Sequence, residues 1–235
     1  MAQWHNAEVV NRIDWNDHLF SLQFHCPDFP NTKAGQFTKV GIEQDDGKVL
    51  SRAYSLVNSP NADHLEIIAV LVEEGSLSPQ LHEVKVGDTL KVMSPATGFL
   101  ILDEVPHSET LYLVATGTGV GPFLSILETE QPWQTYQNIV LVYGVRLASD
   151  LAYQDKIQGW LKTYPEQFSF VPIVSRETKD GALQGRIPQL IAEGKIQQFC
   201  GNPIHPGQCQ VMLCGNPDMI QQTIVELESL GLTKH

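Results

Sequence analysis

Residues 111–127, LYLVATGTGVGPFLSIL, constrain this chain more than any other stretch. The apolar run Leu111-Tyr112-Leu113-Val114-Ala115 contains no turn residue and suits a strand buried on both faces. Thr116-Gly117-Thr118-Gly119-Val120-Gly121 then turns the chain within a few small residues. Pro122 follows in what reads as the first turn of a helix, where a missing N–H is tolerated. Phe123, Leu124, Ile126 and Leu127 give that helix an apolar face. A strand, a glycine turn and a helix N-terminus bring unpaired N–H groups and the positive end of a dipole to one spot. Glycine lets a phosphate approach the main chain there. The same pattern also occurs as an ordinary glycine turn in an α/β sheet, so the surrounding chain has to decide.

On the C-terminal side, strand-like segments at 111–115, 139–143, 168–174 and 210–213 alternate with helix-length segments around 122–130, 151–164, 187–193 and 218–230. That alternation predicts a doubly wound parallel sheet. On the N-terminal side, segments 7–11, 19–25, 37–42, 52–56, 65–72 and 89–93 are short, β-branched and aromatic, and separated by turn signals such as Asp45-Asp46-Gly47 and Asn58-Ser59-Pro60. Six such strands predict a closed, Greek-key-like antiparallel β-barrel, which removes exposed edges. One short helix interrupts them at Ser78-Pro79-Gln80-Leu81-His82, with Ser78 as the expected cap. The expected domains are residues 1–103, a barrel, and 104–235, an α/β unit; 235 residues are enough for both.

Composition removes several functions. A formal charge of −12 argues against general nucleic-acid binding. No window approaches eighteen apolar residues, and the densest, 67–72, reads as a core strand, so no membrane segment is expected. The opening Met1-Ala2-Gln3-Trp4-His5 lacks the basic and apolar regions of a secretory leader, and a cytoplasmic protein is expected. Cys26, Cys200, Cys209 and Cys214 have no metal-site or cluster spacing, so neither a disulfide nor a metal is expected.

Arg52-Ala53-Tyr54-Ser55 lies on a predicted strand, which puts Arg52 and Tyr54 on one face and Ala53 and Ser55 on the other. The guanidinium fork suits a pyrophosphate, and the tyrosine ring suits stacking on a flat heterocycle. Ser55 adds a small donor and acceptor. A surface arginine beside a core tyrosine is the plain alternative. Gly75-Ser76-Leu77-Ser78 marks a second glycine-led helix start.

Where a dinucleotide fold takes NAD, an acidic side chain usually meets the adenine ribose after the second strand. Here that strand runs into Gly144-Val145-Arg146, the third ends in Val174-Ser175-Arg176, and Gly185-Arg186 follows. In a chain with 15 Lys plus Arg against 27 Asp plus Glu, cations at these positions point to a 2′-phosphate, hence NADP. Solvent-facing arginines, or an Arg176 paired with the adjacent Glu177, are the alternatives. Cys214-Gly215-Asn216-Pro217 also follows a strand. Its thiol is a candidate nucleophile, but the sequence places no histidine to activate it.

The Arg52-Ala53-Tyr54-Ser55, Gly75-Ser76-Leu77-Ser78-Pro79, Ala115-Thr116-Gly117-Thr118-Gly119-Val120-Gly121-Pro122 and Met212-Leu213-Cys214-Gly215-Asn216-Pro217 motifs occur in this order. The series resembles the ferredoxin–NADP reductase superfamily, most closely its bacterial ferredoxin (flavodoxin)–NADP⁺ reductases. The resemblance implies FAD on the barrel. Arg52 would meet its pyrophosphate, Tyr54 its isoalloxazine ring and Ser55 the surroundings of flavin N5, with Ala53 in the same motif. It further implies main-chain contacts from Ile68, Ala69 and Val70, pyrophosphate contacts from Ser76, Leu77 and Ser78, and Thr118 at the domain seam. NADP would be held by Val145, Arg146, Ser175, Arg176 and Arg186, with Cys214, Gly215 and Asn216 at the nicotinamide. Tyr54, Ser55 and Cys214 are thus the expected catalytic residues, Cys214 positioning the ring rather than bonding to it.

The implied activity is an FAD-dependent oxidoreductase, a monomer. It would pass a hydride between NADP(H) and FAD, and single electrons between FAD and ferredoxin or flavodoxin. A free flavin reductase, an NADH-dependent module, a non-autonomous electron-transfer subunit and a plain nucleotide-binding protein are the rivals. The carriers are acidic and this chain is too, so a local basic rim is expected from Lys33, Lys39, Lys48 or the neighbourhood of Arg52. In the family, the chain runs on past a stretch like Gly231-Leu232-Thr233-Lys234-His235 into a tail whose aromatic end packs on FAD. Without such a tail FAD is expected to be held more loosely.

Overall fold

The first strand, β1 (Gln3–Asp14), is longer than the expected 7–11 because it serves two neighbours. Its first half pairs with β6 (Thr89–Ser94) and its second half with β2 (Leu19–His25). A register shift between Val9 and Asn11 divides the two halves and leaves Val10 exposed. With β3 (Phe37–Glu43), β4 (Val49–Ser55) and β5 (Leu65–Val70) they form one antiparallel sheet in the order β4-β3-β6-β1-β2-β5. Phe20, Leu22, Phe24, Ile67, Leu90 and Val92 fill its core, all fully buried. The expected closure is incomplete: among the described residues no ladder joins the end strands β4 and β5. The chain leaves β4 crosswise instead. Leu56 N–H donates to Gln36 O, while Val57 N–H donates to Glu66 O and Asn58 Oδ1 accepts from Glu66 N–H, so the segment after β4 is tied to β5 without a ladder.

The computed structural model describes residues 2–234; Met1 and His235, named above at the two termini, lie outside the described residues. Two compact units are present. One comprises residues up to Glu104 together with Gly121–Thr129, the other Val105–Val120 and the chain from Glu130 onward. The sequence put 121–129 with the second domain. In the structure this stretch groups with the first unit, where Gly121 packs against Val57, Ile68 and Ser55 and Ser125 Oγ donates to Asn58 O. Helix α1 (Ser78–His82) forms as expected, but Ser78 does not cap it. Its hydroxyl accepts from Val72 N–H and donates to Val72 O, closing the loop ahead of the helix.

The second unit is built on β7 (Thr110–Thr116), β8 (Asn138–Val145), β9 (Phe168–Val174), β10 (Leu183–Gln184) and β11 (Cys209–Cys214). All are parallel, in the order β10-β9-β8-β7-β11. Residues 110–115 of the central strand β7 are buried throughout, as its apolar sequence demands. Helix α2 (Gly121–Leu127) falls in the first unit, and α3 (Gln131–Thr135), α4 (Gln154–Thr163), α5 (Ile187–Ala192), α6 (Lys195–Cys200) and α7 (Pro217–Ser229) belong to the second. The short elements β10, α3 and α6 have no counterpart in the sequence reading. Tertiary contacts hold them: in α3, Trp133 stacks on Tyr164 at 3.9 Å and 12°.

The β plus α/β fold class is therefore as expected. No helix among the described residues is long and apolar enough to cross a membrane. All four cysteines are free, and no group of three His, Cys, Asp or Glu among the described residues could hold a metal.

Candidate functional site

In the first unit the predicted site residues collect along β4 and β5. On β4, Arg52 lies across from Val40 and Tyr54 from Thr38, while Ala53 lies across from Lys39 and Ser55 from Phe37. The alternation is thus as expected. None of the residues of β4 is fully buried. Tyr54 packs half-buried against the core. Burial pushes its phenol up, with Arg52 acting in the opposite direction, so it stays protonated at neutral pH.

Arg52 makes no ion pair among the described residues. Its Nη1 donates to Ser51 O at 2.8 Å and its Nη2 to Ser76 Oγ at 3.3 Å. Two motifs 24 residues apart in the chain therefore meet. The N–H groups of Ser76 and Leu77 have no hydrogen-bond partner among the described residues. Gln80 Nε2 donates to Ser76 O and holds this turn in place, a role that no sequence signal announced. Ile68, Ala69 and Val70 pair with β2 on one side only, so the end of β5 beyond Glu66 has no ladder partner on its other side among the described residues. Ser55 Oγ has no hydrogen bond among the described residues. A charged fork, unpaired N–H groups, an open strand edge and a half-buried ring together fit a pyrophosphate attached to a flat ring system.

In the second unit the site residues lie at the carboxyl ends of the parallel strands, where such sheets take ligands. Ser175 N–H donates to Val145 O and Arg176 N–H to Arg146 O, both at 3.0 Å, which locks the ends of β8 and β9 side by side. Ser175 Oγ also donates to Val145 O. Arg186 precedes α5 and follows β10 with Gly185 between them, and β10 pairs with β9. Arg146, Arg176 and Arg186 thus leave three neighbouring strands, one of which the sequence did not reveal. All three are exposed, and none forms an ion pair among the described residues. Glu177 does not pair with Arg176. Its carboxylate accepts from Ala148 N–H at 2.5 Å, closing the 3-10 turn that follows β8.

Two glycines face each other across the ends of β7 and β11. A Cβ on Gly119 would stand 2.6 Å from Gly215 Cα, and one on Gly215 would stand 2.2 Å from Thr116 Oγ1. Gly215 adopts φ +138°, and Thr116 Oγ1 accepts from Asn216 N–H at 2.9 Å. Thr116 is a further part of this site that sequence reasoning passed over. Asn216 caps α7 as expected, its Oδ1 accepting from Asp218 N–H and Met219 N–H. Thr118 sits half-buried in the 3-10 turn Gly117–Val120. Burial pushes the Cys214 thiol up to about 11, so it is a protonated thiol at neutral pH and a poor nucleophile.

A family model described as an oxidoreductase FAD-binding domain matches residues 7–100, and one described as an oxidoreductase NAD-binding domain matches residues 113–224. The flavodoxin/ferredoxin–NADP reductases of Escherichia coli (strain K12) and Shigella flexneri are each 47% identical over 223 residues, 95% of this chain and 89% of theirs. The chain belongs to the flavodoxin/ferredoxin–NADP reductase family. A crystal structure of a ferredoxin NADP⁺ reductase from Neisseria gonorrhoeae with bound FAD and NADP superposes with a TM-score of 0.94 at 31% identity. The match covers all of this chain and 94% of that one. Membership of the flavodoxin/ferredoxin–NADP reductase family gives both clusters a context. The Arg52–Ser76 cluster lies within the FAD-domain match, and the arginines and Cys214 lie within the NAD-domain match.

Proposed function

We propose that this chain is an FAD-dependent reductase that transfers a hydride between NADP(H) and FAD and passes single electrons between FAD and ferredoxin or flavodoxin. Bound FAD supplies the redox chemistry, accepting two electrons as a hydride and exchanging them singly. The first unit holds FAD. Arg52, Ser76 and the N–H groups of Ser76 and Leu77 take the pyrophosphate, with Ser78 bracing their loop through Val72. Tyr54 offers its ring to the flavin. Ala53, Ile68, Ala69 and Val70 border it, and Ser55 supplies an uncommitted hydroxyl at its reacting edge.

The second unit holds NADP(H). Arg146, Arg176 and Arg186 neutralise the 2′-phosphate, with Val145 and Ser175 fixing the backbone between the first two. Gly215 admits the nicotinamide end close to the main chain, with Asn216 and Thr118 beside it. Cys214 remains a thiol and positions the ring without forming a bond to it. The protein's contribution is orientation and proximity. The reading places the enzyme in the cytoplasm as a monomer.

One observation carries the choice of nucleotide: arginines leave three adjacent strand ends, and the only carboxylate beside them in sequence is bound elsewhere. Anaerobic mixing tests the whole reading. NADPH should bleach the flavin far faster than NADH, and added ferredoxin or flavodoxin should reoxidise it. Equal bleaching by NADH would remove the NADP assignment. Reoxidation by free FMN but by neither carrier would make the protein a free flavin reductase.

A further inference from the structure

Two glutamines outside every motif stand behind the loop assigned to the FAD pyrophosphate. Gln44 opens the hairpin turn between β3 and β4: its N–H donates to Lys48 O and its carbonyl accepts from Gly47 N–H, both at 2.8 Å. With its main chain committed to the turn, its side chain reaches α1. Nε2 of Gln44 donates to Ile42 O and to Gln80 Oε1, each at 3.1 Å. Gln80 in turn donates from Nε2 to Ser76 O, also at 3.1 Å. Both glutamines are half-buried, and 36 residues of chain separate them. An amide accepts at its oxygen and donates at its nitrogen, so the series Gln44–Gln80–Ser76 runs in one direction.

Ser76 O, where the series ends, belongs to the same peptide group as Leu77 N–H. That group is planar and trans, so its C=O and N–H point in opposite directions and turn together. Among the described residues no main-chain donor reaches Ser76 O, and the Gln80 amide is what holds it. Leu77 N–H is thereby aimed away from Gln80, free of a hydrogen-bond partner among the described residues. The Leu77 side chain is 2% exposed in the core of the first unit, which pins the residue but not the rotation of the peptide before it. Arg52 reaches Ser76 Oγ and Ser78 closes the loop through Val72, so neither bonds to this peptide group. A hydrogen bond to the carbonyl also polarises the N–H of the same group, which makes it a stronger donor to an anion.

We propose that Gln44 and Gln80 are positioning residues for FAD: their amide relay fixes the rotation of the Ser76–Leu77 peptide and keeps Leu77 N–H presented to the pyrophosphate. The proposal rests on the function proposed above. Both glutamines act through the loop rather than on the cofactor. Losing Gln80 frees the peptide to turn, and losing Gln44 frees Gln80 to leave it. The hold on a phosphorylated flavin is therefore set from the hairpin end of β3 as well as from Arg52.

The test uses the full chain loaded with FAD, or with riboflavin, which carries the ring but no phosphate. Release on dilution is followed by the recovery of flavin fluorescence. Gln80→Ala should speed FAD release at least about fivefold, as expected when a hydrogen bond to an anion is weakened. Gln44→Ala should speed it about threefold, since it loosens Gln80 without removing it. Riboflavin release should stay within about 1.5-fold of wild type in both variants, because no phosphate contact is at stake. In the double variant Gln44→Ala should add nothing to Gln80→Ala, because the first residue acts only through the second. FAD release from Gln80→Ala within about twofold of wild type would overturn the proposal. So would riboflavin release that accelerates in step, the mark of a loosened fold, or a double variant equal to the product of the two singles. If the wild type retains no FAD, it is the functional reading that fails.

Discussion

Replacing Arg176 by alanine removes one of three guanidinium groups that follow the carboxyl ends of three neighbouring strands. The Arg176 N–H to Arg146 O bond keeps the two backbones one strand spacing apart, about 5 Å, so one phosphate can be shared between both side chains. A hydrogen bond to a charged group contributes about 1.5–3 kcal/mol. The lower end applies here, since these side chains are exposed, solvent screens them and two cations remain. At about 1.4 kcal/mol per tenfold, KM for NADPH should rise roughly tenfold in Arg176→Ala or Arg146→Ala. The double variant should fall short of the product of the two, because neighbours contacting one ligand are coupled. NADH carries no 2′-phosphate, and its KM should stay within about twofold. Ferricyanide reduction with each nucleotide varied reads both constants, and calorimetry with 2′-phospho-AMP reads binding alone. Glu177→Gln serves as a comparison and should leave both KM values unchanged, because that carboxylate is engaged by Ala148 N–H. A change in NADPH/NADH selectivity below about fivefold, or an NADH KM that rises in step, would refute the assignment of these arginines.

Gly215→Ala places a Cβ 2.2 Å from Thr116 Oγ1 at φ +138°, and should cost about 3 kcal/mol or more, lowering the melting temperature by roughly 6–12 °C. Gly159→Ala, inside α4 with nothing within 4 Å of the added Cβ, should instead stabilise the protein by about 0.5–1 kcal/mol; a loss of stability would contradict its open surroundings. Cys214 should alkylate slowly at pH 7 and faster as pH rises toward 11, and an inflection below pH 9 would contradict its burial. Its thiol is held above its ordinary value of 9.0, so the stability this provides is complete below pH 9 and is lost as pH rises toward 11. Tyr112 and Tyr143, both raised by burial, act in the same direction at still higher pH, which urea titrations across the alkaline range would register.

The strands and motifs were legible because their signals are local. An unbroken apolar run marks β7, β-branched and aromatic residues between turn signals mark β2 and β3, and Asn-Pro marks the start of α7. The two-residue strand β10 carries no periodicity of its own, and only its ladder with β9 makes Arg186 a strand-end residue. Ser78 read as a helix cap because a serine before proline has that local preference, yet a backbone turn six residues earlier takes up its hydroxyl. Glu177 read as a rival for Arg176 because the two adjoin in sequence, and a turn 29 residues away resolves it.

By itself, then, the sequence determined an antiparallel sheet followed by a doubly wound one, together with the residue types that the proposed function sets against a flavin and a phosphorylated nucleotide. Those follow from side-chain alternation and backbone preference within a few residues. The tertiary structure alone decided which charges remain uncancelled. It brought Arg52 to Ser76, aligned three arginines on adjacent strands, tied Lys33 and Lys48 to carboxylates and left Lys39 without an ion pair among the described residues. Charge pairing acts through space over a few ångströms, and distance along the chain carries no record of it.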